Sequence, residues 1–265
     1  MKTFDQYGEL GDFLRTRRAL VDPENVGFPA GLRRRASGLL REEVAVLAHV
    51  SPAWYVRLEQ GHRVQPSPKV LDSVAEALRL SDVERRYLCA LGTGGSAGAL
   101  GGLEARPDTV DLVRRVVDGH SAAALPVYAI DHKYDLIAWN SATKHWYDDF
   151  DDREGLDRNL VWWMFTDPAA RRVLPDWSAC ARDMVAAIRF AVGTGRTDPA
   201  RQPVVALLRS ADQDFARWWD THDVLEPEVE HRTFQHPRQG RCTLKLLTMR
   251  PGTTTAISIV HHLAG

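Results

Sequence analysis

Six of the eleven residues from Gly92 to Gly102 are glycine. Glycine pays the largest backbone entropy on ordering, so such a run reads as a flexible connection, not as an element of a core. It predicts two folding units, residues 1–91 and 105–265, with a linker at 92–104. A phosphate-cradling loop is the rival reading of clustered glycines, but no Gly-Lys-Ser/Thr ends this one and no strand precedes it. The 265 residues suffice for two modest domains.

The first unit is helical by period. Leu10, Phe13 and Leu14 share one helix face, and Leu40, Val44, Leu47 and Ala48 share another. Ser51-Pro52, Ser67-Pro68 and Ser81-Asp82 are three helix starts, each with a capping hydroxyl. Five short helices follow from these signals. Between the first and second, Val21–Ser37 is rich in Pro and Gly and reads as a long loop.

After the linker the periods mix. Val110–Val117 is helical, and Leu125–Ile130 and Leu136–Asn140 form two strands around a turn at 131–134. Helical stretches follow at Asn159–Phe165, Trp177–Val192, Val204–Leu208 and Phe215–Trp219. Three strands close the chain, at Val229–Phe234, Cys242–Met249 and Thr255–Val260. The pattern predicts an α+β domain on an antiparallel sheet, behind an all-α domain.

Bulk charge gives no direction. Residues 1–91 hold 14 Lys and Arg against 12 acids, and the remainder 20 against 23. Affinity for nucleic acid must therefore come from local placement of arginines. The segment Leu40–Gly61, LREEVAVLAHVSPAWYVRLEQG, places them. One helix ends at the small Ala48, a short turn follows, and Ser51 caps the next helix. In a helix-turn-helix that second helix enters the major groove N-terminal end first. Pro52, Ala53, Trp54 and Arg57 would then face base edges, and Arg57 has the fork that pairs with guanine. Ser51 at the helix start, Arg41 and Arg63 are candidates for phosphate. No acid occurs between Asn25 and Arg41, so Arg33, Arg34 and Arg35 form a basic loop suited to backbone or minor-groove contact.

This segment resembles the lambda-repressor/Cro-like (xenobiotic-response-element) helix-turn-helix family, without a gap over its 22 residues. The longer run RRRASGLLREEVAVLAHVSPAWYVRLEQGHRVQPSPKVLDSVAEALRLSDVERRYL resembles a bacterial group of regulators that carry an MmyB-like ligand-binding domain. His49 stands where that family usually has Gly, which implies a left-handed turn residue. The resemblance also implies that Glu59 is buried against an arginine of the first helix, here Arg18.

Seven of the eight tryptophans follow residue 92. An aromatic surplus fits a lined apolar cavity or an association surface, and equally a core with scattered surface aromatics. The stretches LPVYAIDHKYDLIAWNSAT, DRNLVWWMFTDPAARRVLPDW and FARWWDTHDV are similar to the MmyB-like ligand-binding domain. That likeness implies a PAS-like fold and a small apolar ligand such as a fatty acid. Tyr128, Trp139, Trp146, Trp163, Phe165 and Met184 are the candidates for its pocket, with Asn140 and His222 as candidate polar anchors.

Other classes find little support. There is no Gly-x-Ser-x-Gly, no His-Glu-x-x-His and no metal-ligand or cofactor spacing, so no enzyme is expected. Cys89, Cys180 and Cys242 are widely spaced and suit a reducing cytoplasm. No apolar run approaches a membrane span, and MKTFDQYGEL lacks a signal-peptide core. The expected protein is a homodimer on a double-stranded DNA operator, controlled by a small apolar ligand. The alternative is a regulator whose second domain only dimerises or binds a partner protein.

Overall fold

A computed structural model describes residues 5–29, 38–93, 107–194, 203–226, 230–250 and 257–264. Arg33, Arg34, Arg35 and most of the expected linker lie outside the described residues.

The first unit holds the five expected helices: α1 (Gln6–Leu20), α2 (Arg41–Leu47), α3 (Pro52–Glu59), α4 (Pro68–Ala77) and α5 (Asp82–Gly92). Side chains of Asp5, Ser51, Ser67 and Ser81 accept the first free backbone N–H groups of α1, α3, α4 and α5. Leu10, Phe13, Leu14, Tyr55, Leu58, Leu71, Val74, Leu88 and Leu91 close one buried core. In the described part of the Val21–Ser37 stretch, Pro23–Val26 forms a 3-10 turn ended by Gly27 at φ 87°. Gly92 belongs to α5 instead of opening the linker: a Cβ there would sit 2.7 Å from the Leu71 side chain.

α1 crosses α3 at Gly11, where a Cβ would lie 2.5 Å from the Glu59 carbonyl oxygen. That neighbour is backbone and cannot rotate away. Gly11→Ala is therefore expected to cost about 1–3 kcal/mol through overpacking, read as a lower urea midpoint.

The second unit begins with α6 (Pro107–Asp118) and the hairpin β1 (Val127–Asp131) and β2 (Leu136–Trp139). Then come α7 (Ser141–Trp146), α8 (Leu160–Thr166), α9 (Pro168–Val173), α10 (Trp177–Gly193), α11 (Pro203–Ala211) and α12 (Gln213–Asp220). Strands β3 (Glu230–His236), β4 (Gly240–Met249) and β5 (Ile257–Ala264) complete an antiparallel sheet of order β2-β1-β5-β4-β3. The period of two assigns its faces. Val127, Ala129, Ile257 and Ile259 point out to Val113 and Val117 of α6. Tyr128, Leu244, Leu246 and Val260 point inward to a core shared with α7, α8, α10, α11 and α12.

Two helices escaped the sequence reading. α7 and α9 have six residues each, too short to show a period. Their caps were visible: Asn140 accepts from the Thr143 amide, and Asp167 from that of Ala169. Asn140 also donates to the carbonyls of His120 and Leu125, so it is a local brace and not a pocket anchor.

Candidate DNA-reading helix and ligand cavity

The turn between α2 and α3 is set by two residues. His49 adopts φ 55°, as the resemblance implied, and Ser51 Oγ accepts the Trp54 amide at 3.2 Å. This leaves Pro52, Ala53 and Arg57 exposed on one side of α3, while Tyr55 and Leu58 are fully buried on the other. The Arg57 side chain makes no hydrogen bond or ion pair with any described residue, so its guanidinium is available. Trp54 is half-buried against the helical core and presents only part of its ring. Arg63 is exposed, with its guanidinium carbon 5.9 Å from the Tyr7 ring centre.

Beneath this surface lies a buried charge cluster. Glu59 has no solvent exposure. Arg18 donates to both its oxygens, Nε to Oε2 at 2.7 Å and Nη2 to Oε1 at 2.8 Å. Arg41 adds a third bond from Nε, at 2.7 Å. The Arg18 pairing was expected, while Arg41 was read only as a phosphate ligand. Its Nε is committed to Glu59, and its side chain is 41% exposed, so the rest of the fork still reaches the surface. Burial pushes the Glu59 carboxyl upward, but the two arginines outweigh it and hold it below its ordinary value.

The second unit holds a partly open cavity of about 360 Å³ between the sheet and α10. That is within the usual range for small-molecule sites, about 300–1,000 Å³. Tyr128, Leu246 and Val260 wall it on the sheet side, and Met184, Ala187 and Ala191 on the helix side. Of the six aromatic and methionine candidates, Tyr128 and Met184 line it. The other four lie elsewhere. Trp146 and Trp163 are buried in the solid core, where their indole N–H groups bond the Ala124 carbonyl and Asp148. Phe165 packs edge-on against Phe215. Trp139, on the edge strand, donates to Asp151 and carries Arg158 over its ring.

Residues that sequence reasoning missed form the cavity's polar end. Arg232, 5% exposed, is paired with Glu230 and donates to the Tyr147 hydroxyl at 3.2 Å. Burial opposes its charge, but Glu230 restores it and keeps the guanidinium protonated. Burial and Arg232 together depress His262 to about 3, so its ring is neutral at pH 7. A neutral ring fits both its contacts: Nδ1 donates to the Pro126 carbonyl at 3.0 Å, and Nε2 accepts from Tyr147 at 2.7 Å. Asp183 borders the same end, and its carboxyl is pushed up by burial and by Glu230.

His222 was a candidate anchor for the ligand, but it sits outside the cavity, at the junction of the two units. There Glu9 Oε1 accepts from the Tyr87 hydroxyl at 2.8 Å, pairs with Arg189, and lies 3.1 Å from His222 Nδ1. Arg17 of α1 donates to the His222 carbonyl at 2.6 Å and pairs with Asp223. The linker glycines gave no sign of this docking.

Known families agree with this division. A family model described as the MmyB-like transcription regulator ligand binding domain matches residues 111–265. A second, described as a helix-turn-helix domain, matches residues 9–88. No curated protein matches the chain. Among the described residues, no helix is long and apolar enough to cross a membrane.

Proposed function

Since the chain belongs to the MmyB-like transcription regulator ligand-binding family and carries a helix-turn-helix domain ahead of that region, we propose that this DNA-binding regulator is switched by a small, apolar, fatty-acid-like ligand held in the α10 cavity. The observation that carries the reading is a partly open, largely apolar cavity in the same chain as a helix with an exposed Arg57 guanidinium. The sheet order, with β1 between the edge strand β2 and the central β5, suits the PAS-like fold that the resemblance implied.

Base reading falls to Pro52, Ala53, Trp54 and Arg57. Ser51, Arg41, Arg63 and the Arg33–Arg35 loop serve the phosphates. Two copies would span half-sites about 34–36 Å apart. The outer sheet face beyond α6 would serve as the surface for the second copy. Leu247, Met249 and Leu263 are exposed there, on the same side of the sheet as the exposed Leu112 and Val116 of α6. This patch fits dimerisation whether or not the cavity is filled.

Arg57→Ala tests the reading helix. A duplex selected from a random library should lose about 5- to 150-fold in affinity, the worth of one bidentate base contact, with random DNA nearly unchanged. Equal losses on both, by anisotropy at one stated salt concentration, would remove the base-reading role. Native mass spectrometry of protein from its own cells tests the cavity, where a bound apolar molecule adds a discrete mass. Bare protein that also binds no added fatty acid would leave dimerisation as the second unit's task.

A further inference from the structure

The wall of the cavity is also the wall of the DNA-reading unit. α10 is a single helix thick. Met184, Ala187 and Ala191 face the cavity, while Arg189 and Gly193 face α1 and α5. Gly193 is there because a Cβ would run into the Tyr87 ring. Phe190 does both jobs: it borders the cavity, yet it is 2% exposed and belongs to the core built by α1 to α5. Its ring stacks on Tyr87 with centroids 6.4 Å apart, and Tyr87 meets Phe13 of α1 edge-on at 5.1 Å. Phe13 lies two residues after Gly11, which rests on the Glu59 carbonyl of the reading helix.

A second strap runs beside it. Leu225 borders the cavity, and its amide donates to the Ala186 carbonyl of α10 at 3.2 Å. Its neighbours hold the other unit: Asp223 pairs with Arg17, Val224 packs on the helical core, and Glu226 pairs with Arg86 at 2.6 Å.

We infer that Phe190, with the α10 wall that carries it, transmits occupancy of the cavity to the helix-turn-helix unit. The inference rests on the reading of the cavity as the ligand site. A close-packed wall cannot absorb a new occupant on one side without shifting or stiffening on the other. A filled cavity buttresses Phe190, and through Tyr87 and Phe13 it steadies α5 and α1. Ligand and DNA then share one docking equilibrium, and the coupling is reciprocal.

Hydrogen exchange on the full chain, with sodium dodecanoate as the probe, tests this without knowledge of the operator. Calorimetry on the same samples reports whether the probe binds. In the unmodified chain, dodecanoate should slow exchange in α10 and also in α1 and α5, the latter by about fivefold or more, the lower end of typical allosteric coupling. Phe190 borders the cavity, so each variant is compared at dodecanoate saturating by its own calorimetric titration; in Phe190→Ala, α10 should then be protected with the α1 and α5 effect gone. Phe190→Leu keeps apolar bulk and guards against misfolding; at its own saturating dodecanoate the remote effect should be reduced but not abolished. Binding heat with no protection in α1 and α5 of the unmodified chain, or with full protection in both variants, overturns the coupling and leaves the cavity reading intact. Absence of binding heat overturns both.

Discussion

Glu59→Ala should unfold the helical unit by about 3–5 kcal/mol, because it leaves two arginines around a buried vacancy. The carboxylate has no solvent contact, and Arg18, with a side chain only 14% exposed, regains little hydration when its partner is removed. Arg18 also donates to the Leu39 carbonyl at 2.7 Å, so one residue ties α1 to the segment before α2 and to α3. The three single removals should therefore rank. Glu59→Ala costs most. Arg18→Ala follows, since it strips two of the three bonds and leaves a buried carboxylate. Arg41→Ala costs about 1 kcal/mol or less, because that arginine is 41% exposed and water replaces it. Urea midpoints at unchanged slope give the ranking. If Arg41→Ala proved as damaging as Glu59→Ala, the cluster would be held from the surface side and the burial argument would fail. The consequence for DNA is indirect: without Glu59 the angle between α2 and α3 is no longer fixed, and operator affinity falls with stability. Arg57→Ala should change affinity with stability untouched, and this contrast separates a reading residue from a positioning one.

The helix-turn-helix was legible because its determinants are local. The Ser51 cap, the small Ala48 and the inward Tyr55 and Leu58 all lie within a few turns of one another, where spacing alone decides which side chains meet. The strands were legible by alternation for the same reason. The cavity was not, and the error has a physical cause. Large aromatics suit a cavity lining and a core equally, and Trp146, Trp163 and Phe165 are large enough to fill space in the solid core. A cavity opens where side chains are small, and the small residues that open this one, Ala187 and Ala191, sit on a helix that carries small residues on other faces too, so nothing singled them out. Arg232 could have been found as an inward position on a strand of alternating pattern, at a residue type that is seldom buried without a purpose. The docking of the two units had no local signal, since Glu9 and Arg189 are 180 residues apart in sequence.

That docking should be the most acid-sensitive feature of the molecule, and Arg189→Met should cost about 3–5 kcal/mol of it, because the change strands a buried carboxylate. Arg189 is 1% exposed; it pairs with Glu9, donates to the Trp219 carbonyl and stacks on the Trp219 ring at 4.4 Å. Burial alone would raise the Glu9 carboxyl. The hydrogen bond with His222, the Arg189 charge and the Tyr87 hydroxyl overcome it and lower it from 4.5 to about 2. A carboxyl held lower when docked than when free binds fewer protons in the docked state. Its stabilisation is therefore complete above about pH 4.5 and is lost as the pH falls toward 2. The size follows from the same shift, about 3 kcal/mol. Calorimetric scans read the result. Near neutral pH the unmodified chain should melt with its two units coupled, and acidification should split the transition, the helical unit separating from the sheet unit. Arg189→Met should show the split already at neutral pH. Glu9→Gln should carry part of that loss at every pH, since it keeps the shape and gives up the charge. A split in Glu9→Gln that still sharpens between pH 4.5 and 2 would mean that another acid governs the junction. Asp223 would then be the one, since it too is held low, burial being outweighed by Arg182, Thr221 and Arg17. It is nevertheless more exposed than Glu9, with a side chain at 31% against 11%, so screening by water weakens its share and Glu9 dominates.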